Sequence, residues 1–269
     1  MKQIRVFLLV LTVVAFFSVA HAQSNEPLAI LMTADGTIMP PMLEYFKRGI
    51  KTAEQRNAEV LVIQLNTPGG SVSVMSEMIT AIGNSTVPVV IYVSPKDAQA
   101  ASAGALITMA GHASAMSPRT VIGAASPIDS SGADIESTLE KKIKEDLKAK
   151  ARTLVERRGP DAIQLAEAMI DDAKAATAKE SLDAKLIDFI SDDTEDLLQS
   201  LNGFTVQMDS GSHTFNTTDV RTQDLNISFI EQLLLMLTDP NIAFLLLAIG
   251  VQGVLIEISS PGGWFAGFI

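Results

Sequence analysis

From Pro27 onward the chain alternates short apolar runs with longer stretches whose apolar residues return every three or four positions. Leu28 to Met32 is an apolar run ended by Asp35-Gly36, and Met39 to Ala58 repeats through Met42, Phe46, Ile50 and Ala53, which predicts a strand and then a helix. Val60 to Leu65 is a second strand. Ser71 to Gly83, with Val74, Met78 and Ile82 on one face, is a second helix. Val87 to Val93 is β-branched and stops before Pro95, Ala98 to Gly111 reads as a helix of small residues, and Ser114 to Ser117 as a short strand. Strands separated by helices in this rhythm imply a parallel sheet covered on both faces.

Beyond it the pattern loosens. Ser117 to Asp134 is rich in Ser, Gly, Pro and Asp and reads as a loop. Thr138 to Gly159 is a long charged helix with Ile143, Leu147, Ala151, Leu154 and Val155 on its apolar side, and Pro160 restarts a shorter one. Leu186 to Ile190 reads as the last strand, and Asp193 to Leu201 closes a domain spanning 23–201. Residues 202–226 are polar and turn-rich and read as a linker containing a small hairpin. Residues 227–269 read as a membrane-anchoring region. In it Ile227 to Leu237 is amphipathic to apolar, and Ile242 to Ile256 is apolar apart from Gln252, a little under the ~17 residues that a span needs. Trp264, Phe265 and Phe268 suit a membrane interface.

The N-terminus changes the compartment. Lys2 and Arg5 precede the apolar run Val6 to Val19, and Ala20-His21-Ala22 offers small residues around a cleavage point, so 1–22 reads as an export signal. Composition then excludes chemistries. The absence of cysteine removes disulfides, thiolate metal sites and cysteine nucleophiles. A formal charge of −11, and −13 without Lys2 and Arg5, argues against nucleic acid as a partner. No metal-binding or nucleotide-binding motif is present, and no cofactor is expected.

The candidate chemistry lies in two short stretches. Residues 98–104, AQAASAG, place Ser102 among small residues that allow a tight turn, and residues 66–70, NTPGG, follow an apolar strand with two bare backbone N–H groups. The pair reads as a serine nucleophile facing an oxyanion pocket, with Gly69, Gly70 and Ala103 as donors. A tight packing point beside an ordinary glycine turn is the alternative. A serine hydroxyl needs a base. His112 is ten positions away on the same expected helix, about 15 Å of rise, and reads as a helix-end residue answering the C-terminal dipole. His213 lies past the end of the domain. A lysine in an apolar site loses its charge readily, and Lys141, Lys142 and Lys144 stand at the start of the long helix near Leu139 and Ile143. A solvated lysine face is the competing reading.

Five ordered blocks resemble the NfeD-type membrane-bound serine proteases of the Clp/crotonase superfamily: 66–70, 92–104, 110–128, 142–159 and 238–262. The resemblance implies an α/β, Clp/crotonase-like parallel-sheet domain with covering helices, followed by a transmembrane segment. It implies Ser102 as nucleophile, Lys142 as base and the double glycine as oxyanion donors. It also implies a homodimer held at the cell membrane, with the protease domain on the extracytoplasmic side, cleaving a hydrophobic segment of a stomatin-like membrane protein. The sequence departs from the family pattern at Asp97, where glycine is usual, at Asn66, where aspartate is usual, and at Glu145, where asparagine is common. A catalytically idle scaffold that clamps a stomatin-like partner, and a crotonase-type acyl-CoA enzyme using the glycine pair, are the competing functions.

Overall fold

The computed structural model describes residues 26–127 and 137–259; the expected export signal and the aromatic cluster after Pro261 lie outside them. Elements follow in the order β1 (Leu28–Asp35), α1 (Pro40–Gln55), β2 (Val60–Asn66), α2 (Val72–Gly83), β3 (Val89–Val93), β4 (Gln99–Ala101), α3 (Ala103–Ala110), β5 (Ala113–Met116) and β6 (Val121–Gly123). Then come α4 (Ser137–Val155), a 3-10 turn (Glu156–Arg158), α5 (Pro160–Asp171), β7 (Ala175–Thr177), α6 (Ala178–Asp183), β8 (Phe189–Ile190) and α7 (Thr194–Leu201). The chain continues through β9 (Thr205–Met208), β10 (Gly211–Thr214), β11 (Arg221–Asp224), α8 (Phe229–Leu237) and α9 (Pro240–Ser259).

The main sheet has the order β11-β1-β2-β3-β5-β8, and each neighbouring pair is parallel. Parallel strands need crossovers, and the amphipathic helices supply them while covering the sheet. On one face Leu61, Ile63, Leu65, Ile91 and Val93 pack against α1 to α5. On the other, Val60, Val62, Val90 and Tyr92 meet Leu197, Leu198 and Leu201 of α7 and Val206 and Phe215 around the hairpin. Each such side chain contributes roughly 1.5–3 kcal/mol through burial, so both faces are needed to hold the central strands.

Two expectations are corrected here. The stretch 202–226 is not a linker: β9 and β10 form the hairpin, Phe215 fills the second core, and β11 adds a sixth strand by pairing with β1 in the register Leu28 to Arg221. The strand at 186–190 is shorter than expected, only Phe189–Ile190, and it is not the last. A polar edge strand such as RTQD needs only its backbone to join a sheet, which is why its side chains gave no apolar signal.

Past β11 there is little slack. Leu225 N–H donates to Leu31 O at 2.8 Å, Tyr45 Oη donates to Leu225 O at 2.6 Å, and Ser228 caps α8 in a reciprocal box with Glu231. Helix α9 begins where Asp239 caps it, accepting the Asn241 N–H at 2.8 Å, so it is longer than the apolar run alone implied. Its stretch Asn241–Ser259 has mean hydropathy 2.2 with none of it buried, and at 1.5 Å per residue α9 spans about 30 Å, long and apolar enough to cross a membrane.

Candidate active site

Strand β2 ends in Asn66, and the loop that follows is fixed by polar contacts on three sides. Asn66 donates through Nδ2 to Asp35 Oδ1 at 3.0 Å and accepts the Gln99 N–H on Oδ1 at 3.1 Å. An aspartate could not make the first contact, so asparagine at this position suits the neighbouring Asp35. The buried Thr67 bridges to β4: its N–H donates to Gln99 O at 2.7 Å, and its carbonyl accepts from Ala101 N–H at 3.0 Å. These bonds set β4 beside the end of β2.

β4 runs directly into Ser102, which stands at the N-terminus of α3 with φ 54° and ψ −117°. This left-handed conformation is costly for a residue with a Cβ, on the order of 1–3 kcal/mol, and persists only where the surroundings enforce it. The Ser102 N–H donates to Gly123 O on β6 at 2.8 Å, which pins the corner. Strand, strained serine and helix in immediate succession turn the side chain out of the fold. The expected helix from Ala98 is therefore a strand, a corner at Ser102, and a helix that starts only at Ala103. Gly104 is required behind the corner because a Cβ there would overlap Thr67 Cγ2.

The glycine loop faces this corner. A Cβ on Gly69 would lie 2.7 Å from Ser102 Cβ and 3.2 Å from its Oγ, so the loop backbone approaches the hydroxyl as closely as glycine permits. Gly69 has φ 113°. Its carbonyl accepts from Ile38 N–H at 2.8 Å, and Ile38 O accepts from Ser71 N–H at 2.9 Å, which leaves the Gly70 N–H, between them, without an acceptor among the described residues. Gly69 N–H, by contrast, donates to Thr67 Oγ1 at 3.0 Å. Of the two expected glycine donors, Gly69 is thus already committed inside its own loop. Ala103, the first residue of α3, also donates to no acceptor among the described residues, as helix N-termini require. Among the described residues, the N–H groups left without an acceptor in this loop and at the start of α3 are those of Gly70 and Ala103.

Lys142 departs from expectation. It stands exposed on α4, with no hydrogen bond or ion pair to a described residue, and the desolvating pocket anticipated around it is not formed: Leu139 is 51% exposed. Its neighbours are occupied, Lys144 by Glu140 at 2.8 Å and Lys148 by Glu145 and Asp171 at 2.6 and 3.1 Å. Neither histidine is placed for proton transfer at Ser102. His112 is buried, its Nδ1 accepts the Val89 N–H at 3.0 Å, and burial with the nearby Arg157 lowers its pKa to about 4. It is a neutral structural acceptor, not a cation answering the helix dipole. His213 Nε2 pairs with Glu59 at 3.0 Å on the far side of the sheet's second core.

Asp97, five positions before Ser102, has φ 70° and forms a two-pronged pair with Arg119 at 3.0 and 2.7 Å. Its backbone explains why glycine is usual there, and its charge is answered by Arg119, which sequence reading had not singled out. A cavity of about 660 Å³ opens on the other side of the 35–39 turn, lined by Asp35, Gly36, Met39, Tyr45, Leu235 and Ile242 among others.

A family model described as the N-terminal domain of NfeD1b matches residues 31–210. The chain belongs to the NfeD1b N-terminal-domain family. The chain is 36% identical over 232 residues to the membrane-bound protease PH1510 of Pyrococcus horikoshii, an alignment that covers 84% of the chain and 52% of the relative. The chain spans about half the length of the curated relatives it matches. A solved structure of the Pyrococcus horikoshii 1510-N stomatin-specific protease, a lysine-to-alanine variant bound to a substrate peptide, superposes with a TM-score of 0.74 at 32% identity. It covers 80% of this chain and 99% of that one. A serine-to-alanine variant of the same protease gives 0.70 at 33%, covering 76% and 99%. ClpP1 of Listeria monocytogenes, at 16% identity, 62% and 94% coverage and a TM-score of 0.50, shares the fold, so the Clp-like parallel sheet expected from the sequence is the one found.

Proposed function

We propose that this chain is a serine endopeptidase anchored in the membrane by α9. Ser102 Oγ attacks the peptide carbonyl, the Gly70 and Ala103 N–H groups take the developing oxyanion, and Lys142, neutral in the substrate complex, accepts the serine proton and returns it to the leaving amine. Water then releases the acyl group from Ser102 by the same route. The observation that carries this reading is the strained Ser102 corner, with the Gly69 backbone against its side chain and the N–H groups of Gly70 and Ala103 without an acceptor among the described residues.

The base is argued from the relatives. The serine and lysine replaced in the two 1510-N variants stand 41 positions apart, against 40 for Ser102 and Lys142 and 42 for Lys144. Lys144 is held by Glu140 and the Asp171 carbonyl, which favours Lys142. In this reading the N-terminal part of α4, through Lys142 in its second turn, moves toward Ser102 when substrate binds, since catalytic contacts often close only in that complex. The stomatin-specific relative supports an apolar segment of a stomatin-like membrane protein as substrate. We extend the reading to a homodimer surrounded by lipid, with its catalytic domain on the extracytoplasmic side, as the export signal expected at 1–22 requires.

The test is turnover of apolar peptides by the full chain in nanodiscs. Ser102→Ala and Lys142→Ala are each expected to abolish cleavage, while Lys141→Ala and Lys144→Ala retain it. Full activity in Ser102→Ala overturns the proposal. Peptide binding without turnover by the unaltered chain, across a broad panel, supports the idle scaffold instead.

A further inference from the structure

We infer that α8 lies in the bilayer interface as a helix clamped to the catalytic domain, so that the membrane fixes the domain's orientation through a lipid-facing surface separate from the span. The clamp is specific. Arg48 on α1 grips Glu231 on α8 with both prongs, Nε to Oε1 at 2.8 Å and Nη2 to Oε2 at 2.6 Å, and also donates to Asn226 O at 2.8 Å. Glu231 is only 13% exposed, and its bonding to Arg48 holds its pKa down to about 2. Leu235, one turn further on, packs against the main core. Fork-to-fork pairing of this kind fixes angle as well as distance. Because β11 is hydrogen-bonded into the sheet and only four residues separate it from α8, the helix has no free tether to swing on.

The opposite face has no partner among the described residues. Phe229, Ile230, Leu233, Leu234, Met236 and Leu237 are between 44% and 79% exposed, and this face carries no charged residue. Large exposed apolar patches mark interaction surfaces. Lipid is the occupant that continuity selects: two residues separate α8 from α9, whose apolar stretch has no buried residue, so the patch extends directly from a surface that is itself fit for acyl chains. A helix with one seated polar face and one apolar face, joined to a span, sits at headgroup depth. The inference goes beyond the protease reading and needs no peptide cleavage to be tested.

The cysteine-free sequence makes the test direct. Single labels are introduced into the otherwise unaltered full chain by Leu233→Cys, Leu237→Cys, Leu247→Cys in α9 and Gln199→Cys on the exposed side of α7, and the protein is placed in liposomes carrying nitroxide lipids. The α8 labels are expected to be quenched at least threefold more by shallow than by deep nitroxides, the α9 label by deep ones, and the α7 label by neither. Unquenched α8 labels beside a quenched α9 label overturn the inference. So does self-quenching between α8 labels of two copies, which would make a second chain the occupant. For the clamp, Arg48→Ala and the cap-preserving Glu231→Gln are each expected to broaden the distance distribution between the α7 label and the lipid surface, with α8 still quenched. An unchanged distribution in both variants overturns the clamped orientation.

Discussion

Replacing Gly70 by alanine separates the glycine loop's structural role from its chemical one. A Cβ at this position would overlap the Ile38 carbonyl and lie 2.7 and 2.8 Å from Ile38 N and C, all backbone atoms that cannot rotate away. The Ile38 segment must shift, and it carries two hydrogen bonds, Ile38 N–H to Gly69 O and Ser71 N–H to Ile38 O. At about 1 kcal/mol net for each bond, and about 1–3 kcal/mol for the displaced backbone, Gly70→Ala is expected to destabilise the domain by about 3–5 kcal/mol. Gly69→Ala differs, because its nearest atoms, at 2.7 and 3.2 Å, are the Ser102 side chain and Ala101 O. It is expected to lose less stability, about 1–2 kcal/mol from its φ of 113°, but to displace the nucleophile and lower kcat by about two orders of magnitude. Urea unfolding followed by tryptophan-independent far-UV circular dichroism, with peptide turnover on the same preparations, distinguishes the two. A Gly70→Ala protein within 0.5 kcal/mol of the parent would refute the steric argument.

Three further outcomes follow from the same geometry. His112 has its pKa lowered to about 4 from 6.5, so it supplies stability that is complete above 6.5 and is lost as pH falls toward 4, up to about 3 kcal/mol; His112→Gln, which keeps an acceptor for Val89, is expected to flatten the unfolding free energy across that window. Arg158 is 5% exposed and grips Asp188 at 2.7 and 2.9 Å, so Arg158→Ala leaves the part-buried carboxylate with only the Ser114 N–H, at 2.8 Å, and is expected to cost about 1.5–3 kcal/mol, read as a fall in Tm. Asp97→Gly removes an exposed ion pair but relieves a φ of 70°, and is expected to leave stability within about 1 kcal/mol in thermal melts.

The parts of the fold that were legible in the sequence are those built from buried apolar side chains. β1, β2, β3 and the helices between them announced themselves because both faces of their strands are covered, and their boundaries came out within a few residues. What escaped is held by backbone and polar contacts. β11 joins the sheet through four residues without one apolar side chain, β4, β6 and β7 are three residues each of mostly small side chains, and the corner at Ser102 depends on a positive φ that serine does not advertise. At the site, the motif pointed to Ser102 and the glycines, but which N–H remains free is decided by the Thr67 hydroxyl, and Arg119 finds Asp97 across 22 positions. The helix start pointed only to the cluster Lys141, Lys142 and Lys144, and family likeness chose Lys142 among them; its exposure explains why no local feature singled it out.

The turn from Asp35 to Met39 is shared property. On one side Ile38 is stitched to Gly69 and Ser71; on the other Asp35, Gly36 and Met39 wall the cavity that reaches Leu235 of α8 and Ile242 of α9. Five residues of chain therefore lie between α8 and α9 on one side and the glycine loop against Ser102 on the other. In the proposed protease, a molecule filling that hollow bears on the same backbone that holds the glycine loop against Ser102.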